Sequence, residues 1–382
     1  MSKPLVVALI GTGWAGSMHA ASYKQISGVD FRLKWVCSLE DSLPEFAARY
    51  GFERCTSDLN EVLTDPEVTV IDLVTPPSSH LDMILAALKA GKHVVCEKPV
   101  TGCFRSPEEI KPEQMLAEVD KQLAQLEQAL KAGSSTFCYA ENWIYSPPFQ
   151  RMAELLLQKG SRCFEIEGFT GHKGSHAAHS LWWKFNGGGA LIRQGTHPVS
   201  AALYLKRREL EARGEPFRVD TVFCSTARFP RGAAVPEGDT ENWGQVILTF
   251  SDGTRSCITA GDVFMGQIYN QMRVFASDAV FQCNMTPNNL LQVYLPNDTG
   301  VEDAHIMEKN DGNVGWQNAL VLEEQLRGYV GELQDFLCAI RDERQPLSDF
   351  ALAADTLRVI YAAYLSAQEH REISLIVDGL HS

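Results

Sequence analysis

Two short stretches of this 382-residue chain hold residues whose types and spacing can do chemistry. Gly11-Thr12-Gly13-Trp14-Ala15-Gly16 is a complete GxGxxG that follows an apolar run, Leu5 to Ile10, and opens a helical segment from about Ala15 to Gln25. In that setting the first glycine permits a tight turn, the second lets a pyrophosphate approach the backbone, and the third packs helix on strand. The helix N-terminus then offers N–H groups and the positive end of its dipole to the phosphates. Strand, turn and helix in that order identify a dinucleotide site. The second stretch is Glu97-Lys98-Pro99, just after the strand-like run His93 to Cys96. A strand end on such a sheet faces the ligand, which directs Lys98 toward a nicotinamide. Beside a cationic ring a partly desolvated ammonium yields its proton more readily, so Lys98 can give or take a proton. By itself, a lysine at a strand end is more often a surface charge.

Which dinucleotide is bound turns on the end of the second strand, where a carboxylate takes ribose hydroxyls and an Arg takes a 2′-phosphate. Here the strand ends Val36-Cys37-Ser38-Leu39-Glu40-Asp41. Ser38 stands where Asp is expected, yet Glu40 and Asp41 follow and no Arg is adjacent. NAD is favoured, with NADP left open.

These residues need a frame. Over the first 100 residues strand and helix patterns alternate: Leu33 to Cys37, a short helix Pro44 to Tyr50, Val68 to Val74, a helix His80 to Ala90, and His93 to Cys96. Strands joined by crossover helices make a doubly wound parallel sheet. Residues 106 to 131 have leucines at helical spacing and read as one amphipathic helix after a proline-punctuated loop. From about Phe164 the pattern turns to alternating β-runs, with a hairpin signal at Ser251-Asp252-Gly253-Thr254. The expected fold is therefore α/β plus α+β. A Rossmann domain at 1–138 precedes a domain at 139–382 built on a large, mostly antiparallel open sheet. The tail from Leu322 to Glu369 reads as helical.

Four segments, in order, resemble the glucose–fructose oxidoreductase / inositol dehydrogenase / rhizopine-catabolism (Gfo/Idh/MocA) family of sugar oxidoreductases. They are Gly11 to Gly16 with His19-Ala20; Thr75-Pro76-Pro77-Ser78-Ser79-His80; the Gly91 to Pro99 segment ending in Glu-Lys-Pro; and Gly187-Gly188-Gly189-Ala190-Leu191 running to Gly195-Thr196-His197. The resemblance implies hydride transfer between a secondary alcohol of a sugar or polyol and nicotinamide. It carries the proton-transfer roles onto Lys98 and His197, and puts Thr75, Pro76, Pro77, His80, Glu97 and Asn142 near the cofactor. It also implies pairing through the open face of the second-domain sheet, as a homodimer or homotetramer. A cis bond before Pro99 is expected as well.

The family pattern is broken near the histidine. Where many members carry Asp four residues before it, this chain has Arg193, and Ser200 stands three residues after it. Arg193 is then either an anchor for a carboxylate, phosphate or carbonyl of the substrate, or half of a structural ion pair. His172, His176 and His179 would share a face on a helix, but Gly171 and Gly174 argue against one. No nearby carboxylate or Cys completes a metal set, so no metal is assigned. His176 and His179 remain substrate candidates. Trp182 and Trp183 can stack on a sugar ring or pack in a core. Asn142 and Tyr145, between the two domains in sequence, are further candidates.

Bulk properties narrow the partners. Lys plus Arg number 34 against 48 Asp plus Glu, a net charge of −14, with no long basic run, which excludes nucleic acid as the main partner. No apolar run in the sequence reads as a span of about 20 residues or as an export signal, and ten scattered cysteines include no CxxC pair. A cytoplasmic protein without a membrane anchor is expected. Two other readings stay open: NAD-dependent glycoside cleavage through transient oxidation, and a ligand sensor that keeps the fold without catalysis.

Overall fold

The computed structural model describes residues 3–174, 178–230, 238–286, 290–297, 299, 301, 314–319 and 321–375. Its first half runs β1 (Leu5–Ile10), α1 (Trp14–Tyr23), β2 (Phe31–Cys37), α2 (Leu43–Tyr50), β3 (Arg54–Thr56), α3 (Leu59–Thr64), β4 (Val70–Leu73), α4 (His80–Lys89), β5 (His93–Glu97), α5 (Pro112–Lys131) and β6 (Phe137–Ala140). The six strands form one sheet in the order β3-β2-β1-β4-β5-β6, every pair parallel. The strand order reverses between β1 and β4, and that crevice is where such sheets bind ligands. Strands covered on both faces must be apolar throughout, and Val6 to Ile10 and Val94 to Cys96 are all buried. Leu9, Ala20, Val36, Ala47, Tyr50 and Val74 form part of one core beneath α1 and α2.

Besides β6, two elements, β3 and α3, escape the sequence pattern. Both are short and lack a sustained apolar period; α3 depends on Asp58, whose carboxylate accepts the Asn60 N–H at 2.9 Å. The helix expected over 106–131 begins only at Pro112, which sits in its first turn where a missing N–H costs nothing.

The chain continues through α6 (Pro147–Lys159), β7 (Cys163–Gly171), α7 (Trp183–Asn186), α8 (Thr196–Ala212), β8 (Val219–Ala227), β9 (Trp243–Phe250), β10 (Arg255–Gly261), β11 (Tyr269–Ala276), β12 (Val280–Asn284), β13 (Gln292–Leu295), β14 (Gly315–Asn318), α9 (Glu323–Leu326), α10 (Tyr329–Arg341), α11 (Phe350–Glu369) and β15 (Ile373–Ser374). Seven strands pair as β12-β11-β7-β10-β9-β8-β15, antiparallel except for β10 beside β7. The expected mostly antiparallel sheet is thus borne out, with one parallel pair. Strands β13 and β14 make a separate hairpin.

Contacts divide the chain differently from a single cut after residue 138. The first unit runs to Tyr145 and also includes Lys184–Gly187 and Gly328–Arg358; the second holds Ser146–Trp183, Gly188–Arg327 and the residues from Val359 on. Helix α10 returns to the first unit because it packs on α1, where the rings of Trp14 and Tyr329 meet edge to face at 6.1 Å. A further tie joins the Tyr139 N–H to the Ser348 carbonyl at 2.9 Å. Local patterning carries no sign of such a return.

Helix α11 lies within the tail expected to be helical, but against the expectation of no apolar run of that length its 20 residues are long and apolar enough to cross a membrane by length and composition; 72% of its apolar window is buried, as in a core helix. No disulfide forms among the described residues.

Candidate active site

Within the first unit, three loops leave the C-terminal ends of β1, β4 and β5. The loop after β1 is shaped by its glycines. Gly11 has φ +110°, and a Cβ there would lie 2.9 Å from the Val74 carbonyl oxygen. A Cβ on Gly16 would lie 2.6 Å from the Gly11 carbonyl oxygen, so helix and turn could not approach as they do. Around Gly13 the situation is the reverse: a Cβ would meet nothing within 4 Å. Gly13 is the N-cap of α1 and no side chain caps that end. Its first-turn N–H groups therefore border open space that a side chain would fill, which fits a pyrophosphate group.

Thr12 ties this turn to the end of β2 by donating its hydroxyl to Ser38 Oγ at 2.8 Å, and the Glu40 N–H reaches the same oxygen at 3.3 Å. Glu40 is exposed, as is Asp41. Both carboxylates thus border the solvent-facing end of β2, suiting ribose hydroxyls better than a phosphate. Trp14 is 48% exposed, and Ala15 follows it in the first turn of α1.

The loop after β4 holds Thr75, Pro76 and Pro77, with the Ser79 hydroxyl bonded to Thr75 Oγ1 and the Pro76 carbonyl, both at 2.8 Å. His80 is fully buried and lies between two carbonyls: its Nε2 is 2.9 Å from the Thr75 oxygen and its Nδ1 2.8 Å from the Pro99 oxygen. Burial lowers its pKa, with the two carbonyl contacts acting the other way. His80 joins the loop after β4 to the turn after β5. That turn has the expected cis Lys98–Pro99 bond. Lys98 is partly exposed, and its N–H donates to Glu97 Oε2 at 3.0 Å. Glu97 itself is only 9% exposed and supports the turn by accepting that N–H.

Behind Glu97 lies a buried polar group that the sequence reading missed. His19 Nδ1 is 2.9 Å from Asp72 Oδ2, the Tyr23 hydroxyl donates to the same oxygen at 2.9 Å, and His19 Nε2 faces Glu97 Oε1 at 3.4 Å. Asp72 interrupts the apolar run of β4; a carboxylate in a strand that must be buried on both faces was the available signal. Asn142 is buried in a 3-10 turn, Asn142–Tyr145. The buried hydroxyl of Tyr145 donates to Asp335 Oδ2 at 2.9 Å and accepts the Ser348 N–H at 2.9 Å. Its donor proton and one lone pair are used in this way to anchor the C-terminal segment.

In the second unit the glycine-rich run folds around Glu241. Its carboxylate accepts the N–H groups of Gly189 at 2.9 Å and Leu191 at 3.0 Å, and the Tyr364 hydroxyl at 2.9 Å. Burial pushes the Glu241 carboxyl up in pKa, against these bonds. Gly188 and Gly189 are required because a Cβ would strike Tyr364 or the Glu241 backbone. The chain then makes a π turn, Leu191–Gly195, that runs on into α8. His197 stands in the first turn of α8, partly exposed, and Ser200 is fully buried.

Arg193 is bonded to Asp262, whose carboxylate is 1% exposed and also receives the Gln194 amide. The cation that replaces the family's carboxylate is therefore matched by a carboxylate from the end of β10. That favours the ion-pair reading over the substrate anchor. Trp183 is buried at 5.1 Å from the Tyr364 ring and belongs to the core, whereas Trp182 is 42% exposed. His172 accepts the Gly174 N–H at 3.0 Å, which fixes a turn where a helix was in question. His176 lies outside the described residues. His179 falls in the 3-10 turn Ala178–Leu181, its side chain likewise outside the description. No metal-binding group of His, Cys, Asp and Glu occurs among the described residues.

Residues 5–128 match the Gfo/Idh/MocA family model, described as an oxidoreductase family with an NAD-binding Rossmann fold. The chain is 30% identical to levoglucosan dehydrogenase of Pseudarthrobacter phenanthrenivorans over 219 residues, 53% of this chain and 51% of that protein. The match thus spans about half that relative's length. Myo-inositol 2-dehydrogenase of Thermotoga maritima is 28% identical over 97% of this chain and 98% of its own. Among solved structures, GenD2 from gentamicin A biosynthesis, in complex with NAD, superposes with a TM-score of 0.81 at 23% identity, covering 99% of this chain and 98% of that one.

Proposed function

Because residues 5–128 match the Gfo/Idh/MocA oxidoreductase family model with its NAD-binding Rossmann fold, we propose that this chain transfers a hydride between NAD and a secondary hydroxyl of a sugar, polyol or related compound. The observation that carries the reading is the turn at Lys98: a partly exposed ammonium at the C-terminal end of β5, steadied by Glu97 and by His80. When bound, the dinucleotide supplies the hydride acceptor or donor. Gly13 and the N-terminus of α1 would hold its pyrophosphate, and Ser38 with Glu40 its adenosine ribose. That carboxylate supports NAD over NADP.

Lys98 would exchange a proton with the reacting hydroxyl, with His197 in a second proton-transfer role. The names of the relatives support a polyhydroxylated substrate, since one acts on levoglucosan and another on myo-inositol. In the second unit, the half-exposed Trp182 offers an aromatic face suited to a sugar ring. Pairing of chains through the open sheet face is supported by Phe223 and Ile247, which lie opposite each other in register and are each 37% exposed.

The test is a panel of sugars and polyols with NAD and NADP, read by absorbance of the reduced cofactor. Turnover of at least one such alcohol, lost in Lys98→Met while NAD binding persists, is the expected result. NAD binding without turnover of any panel member would instead favour a sensor, and release from nitrophenyl glycosides would favour glycoside cleavage.

A further inference from the structure

The buried polar group behind Lys98 has no part in the hydride transfer just described. His19 on α1 is fully buried, and each of its ring nitrogens faces carboxylates. Nδ1 is 3.1 and 2.9 Å from the two Asp72 oxygens, and Nε2 is 3.4 Å from Glu97 Oε1 and 3.8 Å from Glu332 Oε1. An ionised carboxylate only accepts, so the Asp72 contact requires a proton on Nδ1. A lone pair on Nε2 would then confront two more oxygen acceptors, whereas an N–H there points between them. Glu332, on α10, is fully buried, and neither of its carboxyl oxygens has a hydrogen-bond partner among the described residues. A charge in that position would have no donor within hydrogen-bond distance, and proteins relieve such a cost by keeping the group neutral.

The surrounding groups agree. Tyr23 faces the cluster from α1, Asp72 from β4, Cys96 and Glu97 from β5, Cys138 from β6, Glu141 from the turn after it, and Glu332 from α10. Burial opposes charge on His19, yet Asp72 and Glu97 together hold its pKa well above the ordinary histidine value. Burial drives the Glu332 carboxyl well above the usual range; His19 opposes this, while Glu97, Glu141 and Asp72 add to it.

We propose that His19, kept as an imidazolium between Asp72 and Glu97, and Glu332, kept as the neutral acid, are positioning residues that hold Glu97 ionised under Lys98. Over His19, Asp72, Glu97 and Glu332 the charge then comes to one net negative. Glu97 brings it to the turn, because one of its oxygens faces His19 and the other accepts the Lys98 N–H. A fixed negative charge there favours cationic neighbours: the Lys98 ammonium and the oxidised nicotinamide ring. The second neighbour rests on the functional reading above, which puts that ring beside Lys98.

The charge pattern is tested without turnover. Full-length, cofactor-free protein labelled with 15N-histidine would be followed by NMR from pH 6 to 9, with His19 identified by the signals that His19→Gln removes. Both ring nitrogens are expected to remain protonated throughout, and a neutral His19 ring at pH 8 would overturn the proposal. Glu332→Gln replaces a neutral acid by a neutral amide and does not depend on His19→Gln folding. It should keep the wild-type thermal midpoint and move only one set of histidine signals; a neutral ring in this variant would refute the assignment.

The bias is read by binding. Glu97→Gln should weaken NAD by roughly tenfold and NADH by less than about threefold, the scale expected for one fixed charge about 12 Å from the ring at an effective dielectric near 20. Equal weakening of both would overturn it. Absence of NAD binding by the wild-type protein would sink the functional reading, and the bias with it, while the NMR result would still decide the charge pattern.

Discussion

Replacing Gly13 by Ala separates two demands that the glycine motif otherwise blends. At Gly13 the backbone has φ −67° and ψ −164°, which any residue can adopt, and a Cβ meets nothing within 4 Å. The folded chain therefore accepts alanine without a clash. Loss of glycine as N-cap costs a few tenths to about 1 kcal/mol, and the stiffer unfolded chain returns about 0.4–1 kcal/mol. The two nearly cancel, so the thermal midpoint should move by no more than about 2–4 °C, the equivalent of about 1 kcal/mol in a domain of this size.

Binding is another matter. If the pyrophosphate packs against Gly13, an added methyl overpacks that contact by about 1–3 kcal/mol, which is about 5- to 150-fold in affinity. Gly16→Ala is the control with the opposite profile. Its Cβ would lie 2.6 Å from the Gly11 carbonyl oxygen, a backbone atom that cannot swing aside. It should lower the midpoint clearly, through a loss of about 1–3 kcal/mol of stability. Tryptophan fluorescence gives the NAD titration, since Trp14 adjoins the turn, and circular dichroism gives the melt. A Gly13→Ala protein that melts as wild type and also binds NAD as wild type would refute the cradle.

Further perturbations test the neighbouring parts. Arg193→Met leaves the buried Asp262 carboxylate without its cation, and should destabilise by about 3–5 kcal/mol as a broken buried pair. Adding Asp262→Asn should restore much of that loss, whereas an unchanged melt for the single variant would show that the pair is not structural. Tyr145→Phe removes the hydroxyl between Asp335 and the Ser348 N–H, for about 1–3 kcal/mol. Its substrate KM should not move if the role is structural; a raised KM with an unchanged melt would assign Tyr145 to the substrate site. Burial lowers the His80 pKa below its ordinary value, so between those two values the unfolded chain binds more protons than the folded one. Stability should then fall as pH drops through about 6.5 and level off below the folded value. A urea series from pH 7.5 to 5 reads this, and His80→Gln should lose that part of the slope; an equal slope in the variant would locate the effect elsewhere.

Much of the ligand-facing architecture was legible because its causes are local. The glycine spacing fixes a turn through φ and close approach, the apolar runs fix strands, and Lys98-Pro99 lies where a strand must end. The parallel sheet follows from the alternation of those runs with helices. What stayed hidden was short or remote: β3 and α3 have too few residues to show a period, and the return of α10 to the first unit depends on a face that pairs with α1 only after folding.

The same contrast separates the residues of the site. Sequence by itself determined the dinucleotide turn, the placement of Lys98 after β5 and the glycine-rich approach to His197, because each follows from backbone geometry over a few residues. Only the tertiary structure decided what the polar side chains do. Arg193 meets a carboxylate 69 positions away and Tyr145 a backbone N–H 203 positions away. His19 on α1 faces Glu332 on α10, nearly the length of the chain apart. The partner of a buried charge is chosen by what the packed chain leaves within reach once water is gone. Desolvation makes that choice compulsory, and desolvation is a property of the fold and not of the neighbouring residues in sequence.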